Sequence, residues 1–259
     1  MRNIMAIIMK EIRIYFTTPL AFVVLTVFAF VSSFFFLRLL GDFQRQVAVA
    51  TQMNPEMLQY MNFTDRVLVQ EFANIAVIFV FVVPVLSMRL IAEERRTRTF
   101  ELLRSNPVTP LQIVIGKYFA ALVIVFIMVA VVAIYPLLVW AYSDVGGPAW
   151  ATVFTGLLGL LLLGATFMSV GLLVSSMTKS QAIAWFITWC LLMLLWMVGW
   201  AASDASGVAR DILSELSAIE HIRGFVAGRI HIKDTVYYVS LTGLGLFLSH
   251  RALEAQQWH

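Results

Sequence analysis

YFAALVIVFIMVAVVAIYPLLVWAY, Tyr118–Tyr142, runs for 25 residues without a charged side chain. A transmembrane helix needs about 20 mainly apolar residues, so this stretch is long enough to cross a bilayer and is predicted to do so. Working outward, the same reading predicts further spans at Pro19–Leu40 and Val67–Leu86 before it, and at Trp150–Ser175, Ala182–Ala202 and a short Thr235–Ser249 after it. Composition agrees. Of 259 residues, 61% are apolar and only 13% charged, against about 45–50% and 25% in soluble domains. Such a chain lacks the polar groups to cover itself in water. Six spans use roughly half of it and leave no length for a second globular domain. The expected fold is all-α: one polytopic membrane domain over residues 1–259 with six transmembrane helices.

The N-terminal stretch MRNIMAIIMKEIRIYF is not a signal peptide, because Lys10, Glu11 and Arg13 interrupt it and no small-residue cleavage site follows. Ile4, Ile7, Ile8, Ile12 and Tyr15 recur at helical spacing with Lys10 and Arg13 off the stripe. That pattern predicts an amphipathic helix over residues 1–18 lying in the membrane interface; the alternative is a cytoplasmic extension of the first span. Residues 203–234 carry Val208, Ile212, Leu213, Leu216 and Ile219 among charges, which predicts short amphipathic or re-entrant external helices before the last span. Trp140, Tyr142 and Trp150 bracket one turn as an interfacial aromatic belt does. With the N-terminus in the cytoplasm, 11 of the 18 lysines and arginines fall inside. Six of them, Arg89 to Lys117, flank the ends of spans two and three. By the positive-inside rule both termini are cytoplasmic.

Several chemistries are excluded. The one Gly-Lys pair, Gly116-Lys117, is followed by Tyr118 and has no phosphate-binding glycine loop before it. Any ATP and magnesium therefore belong to another polypeptide, and this chain is expected to bind no cofactor and to catalyse no reaction itself. His221, His231, His250 and His259 form no zinc motif. Ser175, Ser176 and the other hydroxyls within spans have no matching His and Asp and read as helix packing. Gly156, Gly159, Gly164, Gly171, Gly243 and Gly245 read the same way. The single Cys190 lies in an apolar run and forms no disulfide framework. The net charge of +3 reflects basic residues beside apolar spans and implies no nucleic acid.

Between spans two and three lies AEERRTRTFELLRSNPVTPLQIVIGKY, Ala92–Tyr118. Glu93, Glu94 and Glu101 alternate with Arg95, Arg96, Arg98 and Arg104, and Phe100, Leu102 and Leu103 add an apolar strip. Asn106-Pro107 stops a helix, and Thr109-Pro110 restarts one with Thr as cap and Pro at the first position. The residues alone fit a docking element for a soluble partner, or a topogenic basic loop with none. The segment resembles the cytoplasmic helix of ABC-2 type permeases: Glu94, Arg95, Thr99, Phe100, Glu101 and Leu103, then Ser105, Pro107 and Val108, then Gly116-Lys117. Arg98 stands where that pattern has glycine. The stretch from Leu213 to Trp258 is similar to the GldF-like, gliding-motility-type branch, through Ser217, His221, Phe225, Gly228, Ile230 and Asp234; Ile222 stands where the branch has an aromatic.

The resemblance implies the membrane-spanning permease subunit of an ATP-driven exporter in the bacterial cytoplasmic (inner) membrane. Two permeases, identical or similar, would face each other above two copies of an ABC ATPase, with a periplasm-facing GldG-like subunit as a further partner of that branch. Residues 92–109 would be the coupling helix. Its contact set is Glu93, Glu94, Arg95, Thr99, Phe100, Glu101 and Leu103, with Glu94 and Glu101 as polar anchors and Phe100 and Leu103 as inserted apolar groups. Glu71 is the one carboxylate within a span, and such groups are functional candidates. With Arg38 at matched depth on the preceding span it reads as an ion pair that gates or contacts substrate; the alternative is two charges snorkelling to water. A secondary transporter or an ATP-independent scaffold are the rival classes. The former calls for several ionisable groups in spans or repeated broken helices, of which this sequence offers Glu71 and no repeat.

Overall fold

The computed structural model describes residues 2–53, 56, 61–97, 108–142 and 147–255. Every regular element among these is helical. In chain order they are α1 (Arg2–Thr17), α2 (Pro19–Met53), a π-helical turn (Thr64–Leu68) running into α3 (Val69–Ser87), and α4 (Ala92–Arg96). Then follow α5 (Pro110–Tyr142), α6 (Trp150–Met177), α7 (Gln181–Asp204), α8 (Val208–Leu216), α9 (Ala218–Val226) and α10 (Ile232–Ala255). Among the described residues, five helical stretches are long and apolar enough to cross a membrane: Pro19–Met53, Thr64–Arg96, Pro110–Tyr142, Trp150–Met177 and Gln181–Asp204. The chain is thus an all-helical, multi-pass membrane protein. The stretch expected as a sixth span forms α10, whose 24 residues reach about 36 Å. Lys233, Asp234, His250 and Arg251 near its ends make it more polar than the other five.

Helix α6 is the hub, touching α3, α5, α7, α9 and α10. Its glycines explain why. In lipid there is little hydrophobic drive between helices, so close approach and dispersion hold them together. Gly156 lies under Phe72 of α3, Gly159 under Phe225 of α9, Gly164 under Val125 of α5 and Phe79 of α3, and Gly171 against Ser87 of α3. On α10, Gly245 meets Ser169 of α6, whereas Gly243 has nothing within 4 Å of where a side chain would begin. Helices α2 and α7 sit on the outside, with Phe30 and Phe34 on one and Phe186, Leu194 and Trp200 on the other exposed. Contiguous apolar surface of this size is foreign to a water-soluble monomer.

Two boundaries differ from expectation. The first span does not end at Leu40: α2 continues to Met53, 35 residues in all, about 52 Å against a hydrocarbon core of about 30 Å. Gly41 is one glycine among helix-compatible neighbours, Asp42 to Thr51, and does not break the ladder. The third span does not start at Tyr118 but at Pro110, so Lys117 lies within the helix. Its start matches the expected restart: the Thr109 hydroxyl accepts the Gln112 N–H and the Gln112 side chain accepts the Thr109 N–H, each at 3.3 Å, a reciprocal capping box. The expected helix from Ala92 is described as far as Arg96 and its turn at Thr97; residues 98–107 lie outside the described residues.

The helix before α10 is built by the residues of the C-terminal motif. The Ser217 hydroxyl caps α9 by accepting the Glu220 N–H. The His221 ring sits with Nδ1 2.8 Å from Asp234 Oδ1 and Nε2 3.1 Å from the Glu215 carbonyl, stacked on Tyr237. Phe225 is wholly buried on Gly159, and Gly228 takes φ of +82° beside Thr152. Ile230 is exposed. His221 and Asp234 thus tie α9 to the start of α10.

Gly164→Ala should destabilise the chain by about 1–3 kcal/mol, the cost of overpacking a filled contact. Gly243→Ala should be neutral or stabilise by up to about 1 kcal/mol through helix propensity. Thermal unfolding of the purified protein in detergent reads both.

Candidate functional site: a buried charge network at one end of the bundle

On α1 the inward positions are Ile4, Ile7, Ile8, Glu11, Ile12 and Tyr15. The expected apolar stripe is there, with a carboxylate in its middle. Gly116 of α5 lets this face dock: a methyl group on Gly116 would stand 2.7 Å from Ile7 Cγ2. One residue on, Lys117 is 1% exposed. Its Nζ lies 2.9 Å from Glu11 Oε1 and 3.0 Å from Glu94 Oε2. Lys10 closes the group, 2.8 Å from Glu94 Oε1 and 3.6 Å from Glu11 Oε1. Two ammonium groups and two carboxylates alternate, so the cluster is neutral as a whole. A lone buried ammonium is not tolerable, whereas one held between two carboxylates is. At Lys10, burial lowers the tendency to hold the proton, but the hydrogen bond and charge of Glu94, with Glu11 beside them, outweigh it and raise its pKa above the ordinary lysine value of 10.5. That contribution to stability is complete below the ordinary value and is lost only as pH climbs past the raised one.

The network fixes α4. Arg89 binds Glu93 with two parallel bonds of 2.7 and 2.8 Å. The Ser175 hydroxyl of α6 accepts the N–H groups of Ile91 and Ala92, both at 3.0 Å, and donates to the Met88 carbonyl at 3.2 Å. It therefore caps the first turn of α4 from 83 and 84 residues away. The Tyr15 hydroxyl donates to the Leu86 carbonyl at 3.2 Å. A cleft of about 340 Å³ remains between α1 and the turn into α4, walled by Ile14, Tyr15, Ala21 and Leu90. Four separate segments, α1, α3 with its following turn, α5 and α6, are thus stitched to one short helix, whose exposed side carries Arg96 and leads into residues 98–107.

A family model described as ABC-2 family transporter protein matches residues 5–242. The chain belongs to that family. No curated protein matches it. In this ABC-2 protein the Gly116-Lys117 pair has a structural meaning: glycine admits α1 and lysine holds both α1 and α4.

Of the coupling residues named from sequence, the structure brings Glu93 and Glu94 into this site, both turned to partners within the chain. Arg95 follows them on α4, and Thr99, Phe100, Glu101 and Leu103 lie outside the described residues. Lys10, Glu11, Lys117 and Ser175 were missed as site residues. For Glu11 a signal existed, since an acid on the apolar stripe of an amphipathic helix needs a partner. For Ser175 there was none, a serine in an apolar span being ordinary.

The expected Arg38–Glu71 ion pair is not formed. No contact within 4.0 Å joins them; Arg38 is exposed, and Glu71 is 0% exposed with neither carboxylate oxygen hydrogen-bonded. Arg38 shares the outward face of α2 with Leu37. The π-helical turn just before α3 adds a residue to its turn, which changes the direction of every side chain after it. Matched depth along two helices says nothing about the direction around them.

Lys117→Met should cost about 3–5 kcal/mol, because it strands two carboxylates in a buried site. Lys10→Met should cost about 1 kcal/mol or less, since Lys10 is half exposed. Unfolding midpoints, with the rate of proteolytic release of α1, check the difference.

Proposed function

We propose that this chain is the permease subunit of an ATP-driven ABC exporter, working as a pair of permeases above two ATPase subunits in a bacterial cytoplasmic membrane. In this reading α10 is a sixth crossing, both termini are cytoplasmic, and α8 and α9 lie on the outer side. The observation that carries it is the fastening of α4. A short helix held by α1, α3, α5 and α6 at once delivers any displacement of residues 92–109 to the whole bundle, as a coupling helix must. Family membership and the crowding of arginines around that helix support the same orientation. The exposed apolar faces of α2 and α7 offer surface for the second permease as well as for lipid.

The division of labour within the segment then differs along its length. Glu93 and Glu94 hold the helix to the permease, while Phe100 and Leu103, with Thr99 and Glu101, meet the ATPase. Arg38 and Glu71 act separately on the transport path. A periplasm-facing GldG-like subunit is a further partner.

Phe100→Ala should weaken ATPase binding by about 2 kcal/mol or more, the hot-spot threshold, or roughly 30-fold. Membrane insertion should be unaffected. Charge reversal at Arg96 should matter little, within about 1 kcal/mol. Glu94→Gln should leave the ATPase bound but uncouple hydrolysis from substrate. Co-purification and substrate-stimulated hydrolysis read all three. Unchanged binding in Phe100→Ala, together with loss of the ATPase on deleting residues 41–66, would refute the orientation.

A further inference from the structure

At the end of the bundle away from the charge network, α2 and α5 are pinned together and then part. The pin is Tyr135, whose hydroxyl is 2.5 Å from Ser32 Oγ and 3.1 Å from Ser33 Oγ. Its ring stacks on Phe36 with centroids 4.6 Å apart and 12° between planes. The next residue, Pro136, has no N–H to return to the preceding turn of α5. Beyond it lies a cleft of about 740 Å³, within the size range of small-molecule sites. Four segments wall it: α2, residues 61–64, the last turn of α5, and Gly147-Pro148.

The lining has a definite chemistry. Phe36, Leu40, Phe43, Phe63, Leu138 and Val139 make it apolar, Phe43 and Phe63 meeting edge to face. The polar side chains are Gln44, Asn62, Thr64 and Tyr142, all neutral. None of the described lining residues is charged, although α2 carries Arg38, Asp42 and Arg45 alongside. None of those three side chains lines the cleft, and Arg45 is 3.8 Å from Asp42. The Thr64 hydroxyl accepts the Ala149 N–H at 3.0 Å, which leaves its own hydrogen for another acceptor. An ion among these described residues would lose water and gain no countercharge. An alkyl chain would gain burial, and a neutral polar head would find donors and acceptors.

We infer that the cleft between α2 and α5 binds an uncharged amphiphile, an alkyl or acyl chain with a neutral hydroxylated head, and that this is the class of molecule the transporter moves. As a binding site it stands alone; as a cargo site it rests on the permease reading.

The test uses the full chain in nanodiscs of phosphatidylethanolamine and phosphatidylglycerol, with a monoacylglycerol carrying a diazirine at its chain end. Labelling should concentrate on peptides bearing Leu40 or Leu138 and be displaced by excess unlabelled monoacylglycerol. Leu40→Trp and Leu138→Trp, on opposite walls, should each reduce it about tenfold, as filling a pocket does, with labelling at the exposed Phe126 unchanged. A diazirine fatty acid of equal length should label the cleft weakly. Uniform, non-displaceable labelling of all exposed helices would overturn the site in favour of annular lipid, and equal labelling by the fatty acid would overturn the neutral class. Disulfide-linked dimers of Leu138→Cys in a Cys190→Ser background would assign the cleft to a second copy instead. With the ATPase assembled, monoacylglycerol should stimulate hydrolysis and Leu138→Trp should abolish the stimulation. Labelling without stimulation would make the ligand a resident lipid and overturn the cargo assignment. Failure of any ATPase to assemble would refute the permease reading and leave the labelling result standing.

Discussion

Lys117 sits between Glu11 and Glu94, and most of the architecture at that end of the molecule depends on it. An ammonium group that is almost fully buried has to be neutralised within hydrogen-bonding distance. Its two partners come from the N-terminal helix and from the turn after α3. Neither α1 nor α4 can therefore move far without exposing an unpaired charge in a site of low polarity. Five-residue helices are marginal by themselves; α4 persists because Glu93, Glu94 and the Ser175 cap hold its first turn from outside.

That arrangement joins two kinds of packing with different tolerances. Within the bundle, α6 holds its neighbours through glycine contacts that are short, uncharged and close-fitting, so they resist sliding. At the end of the bundle the contacts are charged and range from the half-exposed Lys10 to the buried Lys117, so each buried charge needs its partner kept in place. At the far end the same helices α2 and α5 are pinned at Tyr135 and open beyond Pro136. Lys117 and the cleft residues Leu138, Val139 and Tyr142 lie on one continuous helix.

Apolar runs were readable one at a time because hydropathy is a local sum. Tyr118–Tyr142, Trp150–Ser175 and Ala182–Ala202 fall within observed helices, and the Thr109-Pro110 restart follows from the chemistry of two residues. The amphipathic stripe of α1 was equally visible, since helical spacing fixes which residues share a face. The C-terminal motif could be recognised from the sequence, but the roles of its residues, a cap at Ser217 and a staple at His221 and Asp234, could not.

The sequence by itself determined that this chain belongs in a membrane, where its long apolar helices lie, and which segment gathers the arginines. Each of those is a property of neighbouring residues. Only the tertiary structure decided that Lys117 is buried, that Glu94 turns inward, that Ser175 caps a helix distant in sequence, and that Arg38 and Glu71 do not meet. A charge reads as water-facing until its partner is known. The partners here lie 106 residues apart for Lys117 and Glu11, and direction around a helix shifts with a single π-turn. Pairing across such distances is set by how helices pack together, which no local pattern encodes.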